Sequence, residues 1–321
     1  MHHTTTSAAT LKALLFFLIA TGVGAPALAT RADTHTTVFG TSTQTTGHAP
    51  ATPSAFFFED GGWARSYAFR INSDAPADTA LFFYGGSGCP DWGVVMPAYV
   101  RGFTRAADVY VLNKRHASLN TLDSPCSLRF AQRNNPDQWA ADFTAFINGT
   151  LASRSTPPRN VVLVGVSEGV INAARVAGKL PAVTHLALIG DGGYSMRRAL
   201  DTLFSRGALP FDPNTEFSKV TRQPDSLVHE VAGSPNLWWT QVLDDDPMPH
   251  FMTLTIPILL GIGERDDSVP VESAEYLERQ FQLAGKTNLT LLKYPGADHR
   301  LQAGAQSYRP AFFKAVSDML D

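Results

Sequence analysis

Gly165-Val166-Ser167-Glu168-Gly169 stands between the apolar run Val161-Val162-Leu163-Val164 and the helix-compatible run Val170-Ile171-Asn172-Ala173-Ala174. A serine that ends a strand and opens a helix must sit on a sharp turn that exposes its hydroxyl. Glycine on either side lets the strand and helix backbones approach without Cβ clashes. The pentapeptide alone is a common turn composition. Its setting makes Ser167 the candidate nucleophile and constrains the fold, because a strand feeding directly into a helix belongs to a largely parallel sheet.

The rest of the chain continues that alternation. Strands are expected at Ala55 to Phe58, Ser66 to Ile71, Ala80 to Tyr84, Val109 to Leu112, Val161 to Val164, His185 to Ile189, Ile258 to Ile262 and Leu289 to Tyr294, the first two antiparallel. Apolar residues at three- and four-residue spacing predict helices at Gln138 to Ile147, Val170 to Lys179, Ser273 to Ala284 and Pro310 to Leu320. The sum is a mostly parallel, eight-stranded doubly wound sheet. The stretch 191–255 is too long for a simple crossover and is expected to insert a helical cap over the C-terminal edge of the sheet, the alternative being an elaborated surface crossover with no role in substrate contact. It contains Trp238, Trp239 and Phe251, which either line an acyl pocket or form the insertion's own core, and the acidic run Asp244-Asp245-Asp246.

The N-terminus reads as a Sec signal peptide: Lys12, an apolar run from Leu14 to Ala20, and small residues at Ala27-Leu28-Ala29. Thr21, Gly22, Gly24 and Pro26 interrupt it short of the roughly 18 to 20 apolar residues of a membrane span. The expected organisation is a signal over 1–29, a flexible Thr-rich leader over 30–53, and one domain over 54–321. The mature protein is then secreted or periplasmic, with no stable membrane span. In an oxidising compartment Cys89 and Cys126 are either joined as a disulfide or left as two buried thiols. With 26 basic and 29 acidic residues the net charge is −3, so no broad field draws nucleic acid to this chain.

A serine hydroxyl needs a positioned base. His299, in Tyr294-Pro295-Gly296-Ala297-Asp298-His299 after the last expected strand, is the histidine that completes the order Ser, Asp, His. The acid that orients it is Asp266, in the loop Gly263 to Pro270, with Asp267 and then Asp191 as alternatives. Tyr84-Gly85-Gly86-Ser87-Gly88 follows an early strand and offers backbone donors to an oxyanion. Gly86 N–H paired with Glu168 N–H is the leading choice, with Ser87 in reserve. Neither cysteine has CxxC spacing, no GxxxxGK loop occurs, and Gly261-Ile262-Gly263 lacks the third glycine of a dinucleotide fingerprint.

From Phe56 to Asp321 the chain resembles the α/β-hydrolase superfamily, with Tyr84 to Gly88 similar to its oxyanion loop, Gly165 to Gly169 to its nucleophile elbow, and Gly263 to Pro270 with Gly296 to His299 to its acid and base loops. That resemblance implies an acyl-enzyme mechanism on a small-molecule acyl substrate, without metal or organic cofactor. Gly-Ser-Gly after the third strand, Glu168 after the serine, and Trp238-Trp239 upstream of Asp246-Pro247 look like exported bacterial serine esterases, which implies carboxylic ester cleavage. The Gly-Gly-Ser-Gly loop also resembles that of amide-cleaving aminopeptidases of the same superfamily. A thioesterase and a non-catalytic binding protein are the remaining readings. The histidine common in the superfamily at position 84 is a tyrosine here.

Overall fold

The computed structural model describes residues 52–117 and 126–320. The signal and nearly all of the leader lie outside them. Among the described residues no helix is long and apolar enough to cross a membrane.

One sheet holds eight strands: β1 (Thr52–Phe57), β2 (Trp63–Ile71), β3 (Thr79–Tyr84), β4 (Ala107–Leu112), β5 (Asn160–Val166), β6 (His185–Ile189), β7 (Ile258–Gly263) and β8 (Leu289–Tyr294). Their spatial order is β1-β2-β4-β3-β5-β6-β7-β8. β1 and β2 pair antiparallel, as does β2 with β4, and every pairing from β4 to β8 is parallel. β1 starts at Thr52, whose pairing with Ala68 takes the last two residues of the expected leader into the sheet. Every residue of β3, β5, β6 and β7 is buried, so the central strands carry unbroken apolar runs in place of alternation.

Among the described residues ten helices follow in chain order: α1 (Trp92–Tyr99), α2 (Leu128–Arg133), α3 (Pro136–Ala152), α4 (Glu168–Ala177), α5 (Met196–Ser205), α6 (Pro213–Arg222), α7 (Asn236–Val242), α8 (Met248–Met252), α9 (Val271–Leu283) and α10 (Arg309–Met319). The four helices read from periodicity correspond to α3, α4, α9 and α10. Their starts moved because the caps lie outside the apolar pattern: Asn135 caps α3 by accepting from Gln138 N, with Pro136 in its first turn. Helices cover both faces of the sheet. Phe143, Val170, Ala174, Leu277 and Phe281 close one core, and Met96, Tyr99, Phe312, Phe313 and Val316 close the other.

Between β6 and β7 the chain builds α5 to α8 and a short hairpin, Glu230–Val231 with Ser234–Pro235. Leu200, Leu203, Phe217, Val220, Trp238 and Trp239 form a third core that belongs to this insertion alone. Phe251 instead joins the main core beneath the sheet face covered by α4. All three aromatics are core residues, Trp238 and Trp239 of the insertion and Phe251 of the main core.

The chain leaves β3 for β4 and then returns past β3 to β5. Its direction therefore reverses at the β3/β5 boundary, where open α/β sheets place a crevice outside the carboxyl ends of their strands.

Candidate active site

Ser167 lies at that boundary, at the end of β5, with φ 54° and ψ −127°. A non-glycine residue at positive φ is held there by its surroundings. Its N–H donates to Ile189 O at 2.8 Å, and its carbonyl accepts from Val170 N at 2.8 Å as α4 begins. Gly169 allows the close approach: a Cβ there would lie 2.5 Å from both Tyr84 O and Gly85 O, so only glycine lets the first turn of α4 rest on the end of β3. That contact brings the Gly85-Gly86 loop beside the serine, where a Cβ on Gly86 would come within 3.2 Å of Ser167 Cβ.

The acid and base loops meet in the same way. A Cβ on Gly263 would stand 2.3 Å from both Ala297 O and Asp298 O, so the loop after β8 lies directly on the end of β7. Asp266 is fully buried there. One carboxylate oxygen accepts from Ser268 N (2.9 Å) and Val269 N (2.8 Å), and the other accepts from His299 Nδ1 at 2.8 Å. Asp267 faces outward. The other face of the His299 ring rests on Gly190, one residue beyond the Ile189 carbonyl that holds Ser167. Nδ1 is thereby committed to the carboxylate, and the Nε2 side of the ring is left for proton transfer. The ring and the Ser167 hydroxyl are not hydrogen-bonded to each other.

Burial pulls the His299 pKa down, but the charge of Asp266 and its hydrogen bond outweigh this and leave it above 6.5. Asp191, the third-choice acid, is buried beside the pair. It accepts from Gly192 N at 2.7 Å, and burial pushes its pKa up to about 7. Among the described residues neither Gly86 N–H nor Glu168 N–H donates a hydrogen bond within the protein, which leaves both free for an incoming oxyanion.

Cys89 and Cys126 are joined, with Cα atoms 5.6 Å apart and a sequence separation of 37. The bridge ties the end of the Gly85–Gly88 loop to the start of α2. Beyond it Asp91 is buried and accepts from Gly93 N, Asn113 Nδ2, Tyr67 Oη and Arg65 Nη1, which anchors the loop to β2 and to the segment after β4. The Trp92 indole packs against Gly85 and Gly86. Tyr84 is fully buried, donating from its hydroxyl to Trp139 O and packing on Phe143, so this residue serves the core.

Sequence reasoning passed over Asp91, Trp92 and Lys114. The first had a local signal, an Asp-x-Gly cap at the start of α1. The polar run Asn113-Lys114-Arg115-His116 directly after an apolar strand was the signal for the last.

Sheet order, elbow and loop placement define a serine hydrolase of the α/β-hydrolase superfamily. Within it the chain belongs to the prolyl oligopeptidase family, whose model matches residues 128–317. No curated protein matches the sequence. Solved structures with the same fold include an esterase from Pyrococcus furiosus, at 14% identity and a TM-score of 0.58 over 84% of this chain and 90% of that one. The acylaminoacyl peptidase of Pyrococcus horikoshii matches at 12% identity and a TM-score of 0.56, over 84% of this chain and 41% of its own. The esterase domain of a Rhodothermus marinus protein matches at 19% identity and a TM-score of 0.52, over 84% and 96%.

Proposed function

We propose that this enzyme hydrolyses carboxylic esters by acyl transfer through Ser167, His299 and Asp266. The observation that carries the reading is the buried Asp266–His299 hydrogen bond beside a serine held at positive φ. Ser167 attacks the ester carbonyl while His299 takes its proton. Asp266 holds the ring and stabilises the imidazolium, and His299 then returns the proton to the leaving alcohol. Gly86 N–H and Glu168 N–H receive the oxyanion. Water, activated by the same ring, releases the acyl group.

Ester cleavage is supported by the fuller match to the esterase from P. furiosus and the R. marinus esterase domain, each aligned over about nine-tenths of its length or more, than to the peptidase, aligned over 41%. Family membership favours a second reading, cleavage of a peptide amide. A panel of p-nitrophenyl esters of rising acyl length against aminoacyl p-nitroanilides separates the two. The expected result is kcat/KM higher on an ester by tenfold or more after correction for the intrinsic reactivity of each leaving group. Preference for the anilides turns the assignment to peptidase. A fluorophosphonate probe should label the wild type and leave Ser167→Ala unlabelled; a folded wild type that resists the probe ends the mechanism.

The same proposal places the enzyme outside the cytoplasm, a reading supported by the signal-like N-terminus and the Cys89–Cys126 bridge. N-terminal sequencing of protein recovered from the periplasm or medium should begin near Thr30, and a mature chain beginning at Met1 overturns it.

A further inference from the structure

Directly behind the elbow lies an ion pair that the proposed chemistry does not use. Lys114 Nζ donates to Glu168 Oε2 at 2.9 Å, and both side chains are more than nine-tenths buried. The ammonium sits 4.0 Å from the centre of the Trp139 ring. The second carboxylate oxygen, Oε1, faces Trp238 Nε1 of the insertion at 3.4 Å. Three parts of the chain therefore converge on one carboxylate: the segment after β4, the first residue of α4, and α7 of the insertion.

Stability does not account for such a pair. Two charges taken out of water lose hydration that their attraction barely repays, and apolar residues of the same volume serve a core equally well or better. What the pair supplies is direction. A glutamate held at both oxygens has little rotamer freedom, so its backbone is held as well. In Glu168 that backbone carries the peptide bond shared with Ser167 and the N–H assigned to the oxyanion.

We propose that Lys114 and Glu168, steadied by Trp238, are positioning residues that fix the Ser167–Glu168 peptide for catalysis and couple the insertion to the nucleophile elbow. This rests on Ser167 being the nucleophile. Lys114 also cancels the negative charge that Glu168 would otherwise place behind a developing oxyanion. Neither side chain touches substrate. Both act through the backbone.

The test compares Glu168→Gln, Lys114→Met and the double variant Lys114→Met/Glu168→Gln with wild type, reading kcat, KM, fluorophosphonate labelling rate and melting temperature. Glu168→Gln is isosteric, and the double variant leaves no uncompensated buried charge, so folded protein is available even if Lys114→Met alone does not fold. Expected are a kcat and a labelling rate lowered 10- to 100-fold at temperatures well below melting, with KM within threefold. The double variant should be no worse than the poorer single, because the pair acts as a unit. Folded Glu168→Gln or double variant with kcat and labelling within twofold of wild type overturns the proposal, even where melting falls. A wild type that does not label overturns the nucleophile assignment instead, and with it this inference.

Discussion

At the catalytic edge of the sheet, position is set by backbone contacts: Ser167 N on Ile189 O, Gly169 against Tyr84 and Gly85, Gly263 against Ala297 and Asp298. In the insertion, position is set by side chains. Phe217, Trp238 and Trp239 pack ring on ring, and the acidic run is divided among three tasks. Asp244 pairs with Arg197 within the insertion, Asp245 reaches Arg175 on α4, and Asp246 caps α8 at Met248 N. Backbone hydrogen bonds and glycine contacts tolerate little displacement, which suits a reaction that needs atoms placed to a fraction of an ångström. A separate apolar core with a few polar ties can shift as a unit.

The comparison is most exposed at Asp266. Asp266→Asn should lower kcat by about 10³- to 10⁴-fold with the fold intact, since the side chain's work is orientation and charge at His299. The pH profile carries a sign. Asp266 raises the His299 pKa against the pull of burial, so its loss lowers that pKa. With His299 as the proposed neutral base, the acid limb of kcat/KM should move to lower pH. A limb that stays in place, or an unchanged rate, returns the role to Asp191.

Trp239→Ala tests the independence of the insertion's core. The side chain is 1% exposed, stacks on Phe217 and donates from Nε1 to Val231 O at 2.8 Å. Its removal should cost about 3–5 kcal/mol in denaturant unfolding. Faster hydrogen exchange should be confined to α5, α6 and α7, and loss of protection spreading through β3 and β5 would show that the two regions fold as one. Reduction of Cys89–Cys126 should cost about 2–4 kcal/mol, as for a native bridge closing a loop of this length. It should loosen the oxyanion loop before the insertion, as limited proteolysis can read. Asp245→Asn removes a largely buried partner of Arg175 at the edge of the insertion and should cost only about 1 kcal/mol, with kcat nearly unchanged. A tenfold loss of kcat would mean that this tie also holds the elbow.

The two regions differed equally in how far they could be read beforehand. β6 and β8 were legible to the residue because short apolar runs ended at turn residues, and Ser167, His299 and Asp266 stood in loops that parallel topology gathers at one edge. α1 and α2 were missed. α1 has little apolar periodicity and contains Pro97, and α2 is six residues long. Trp238 and Trp239 were visible as aromatics, but an aromatic lines a pocket or fills a core according to neighbours distant in sequence.

Residue order and short-range pattern alone determined the sheet, the serine's turn and the loops carrying Asp266 and His299, because strand length, helix start and glycine tolerance are local properties of the backbone. Tertiary structure decided which carboxylate faces His299, that the two cysteines meet, and that Glu168 holds Lys114 behind Ser167. Each of these depends on which distant side chains share one dry space, and burial is what turns proximity into a pKa, a bond or a fixed peptide.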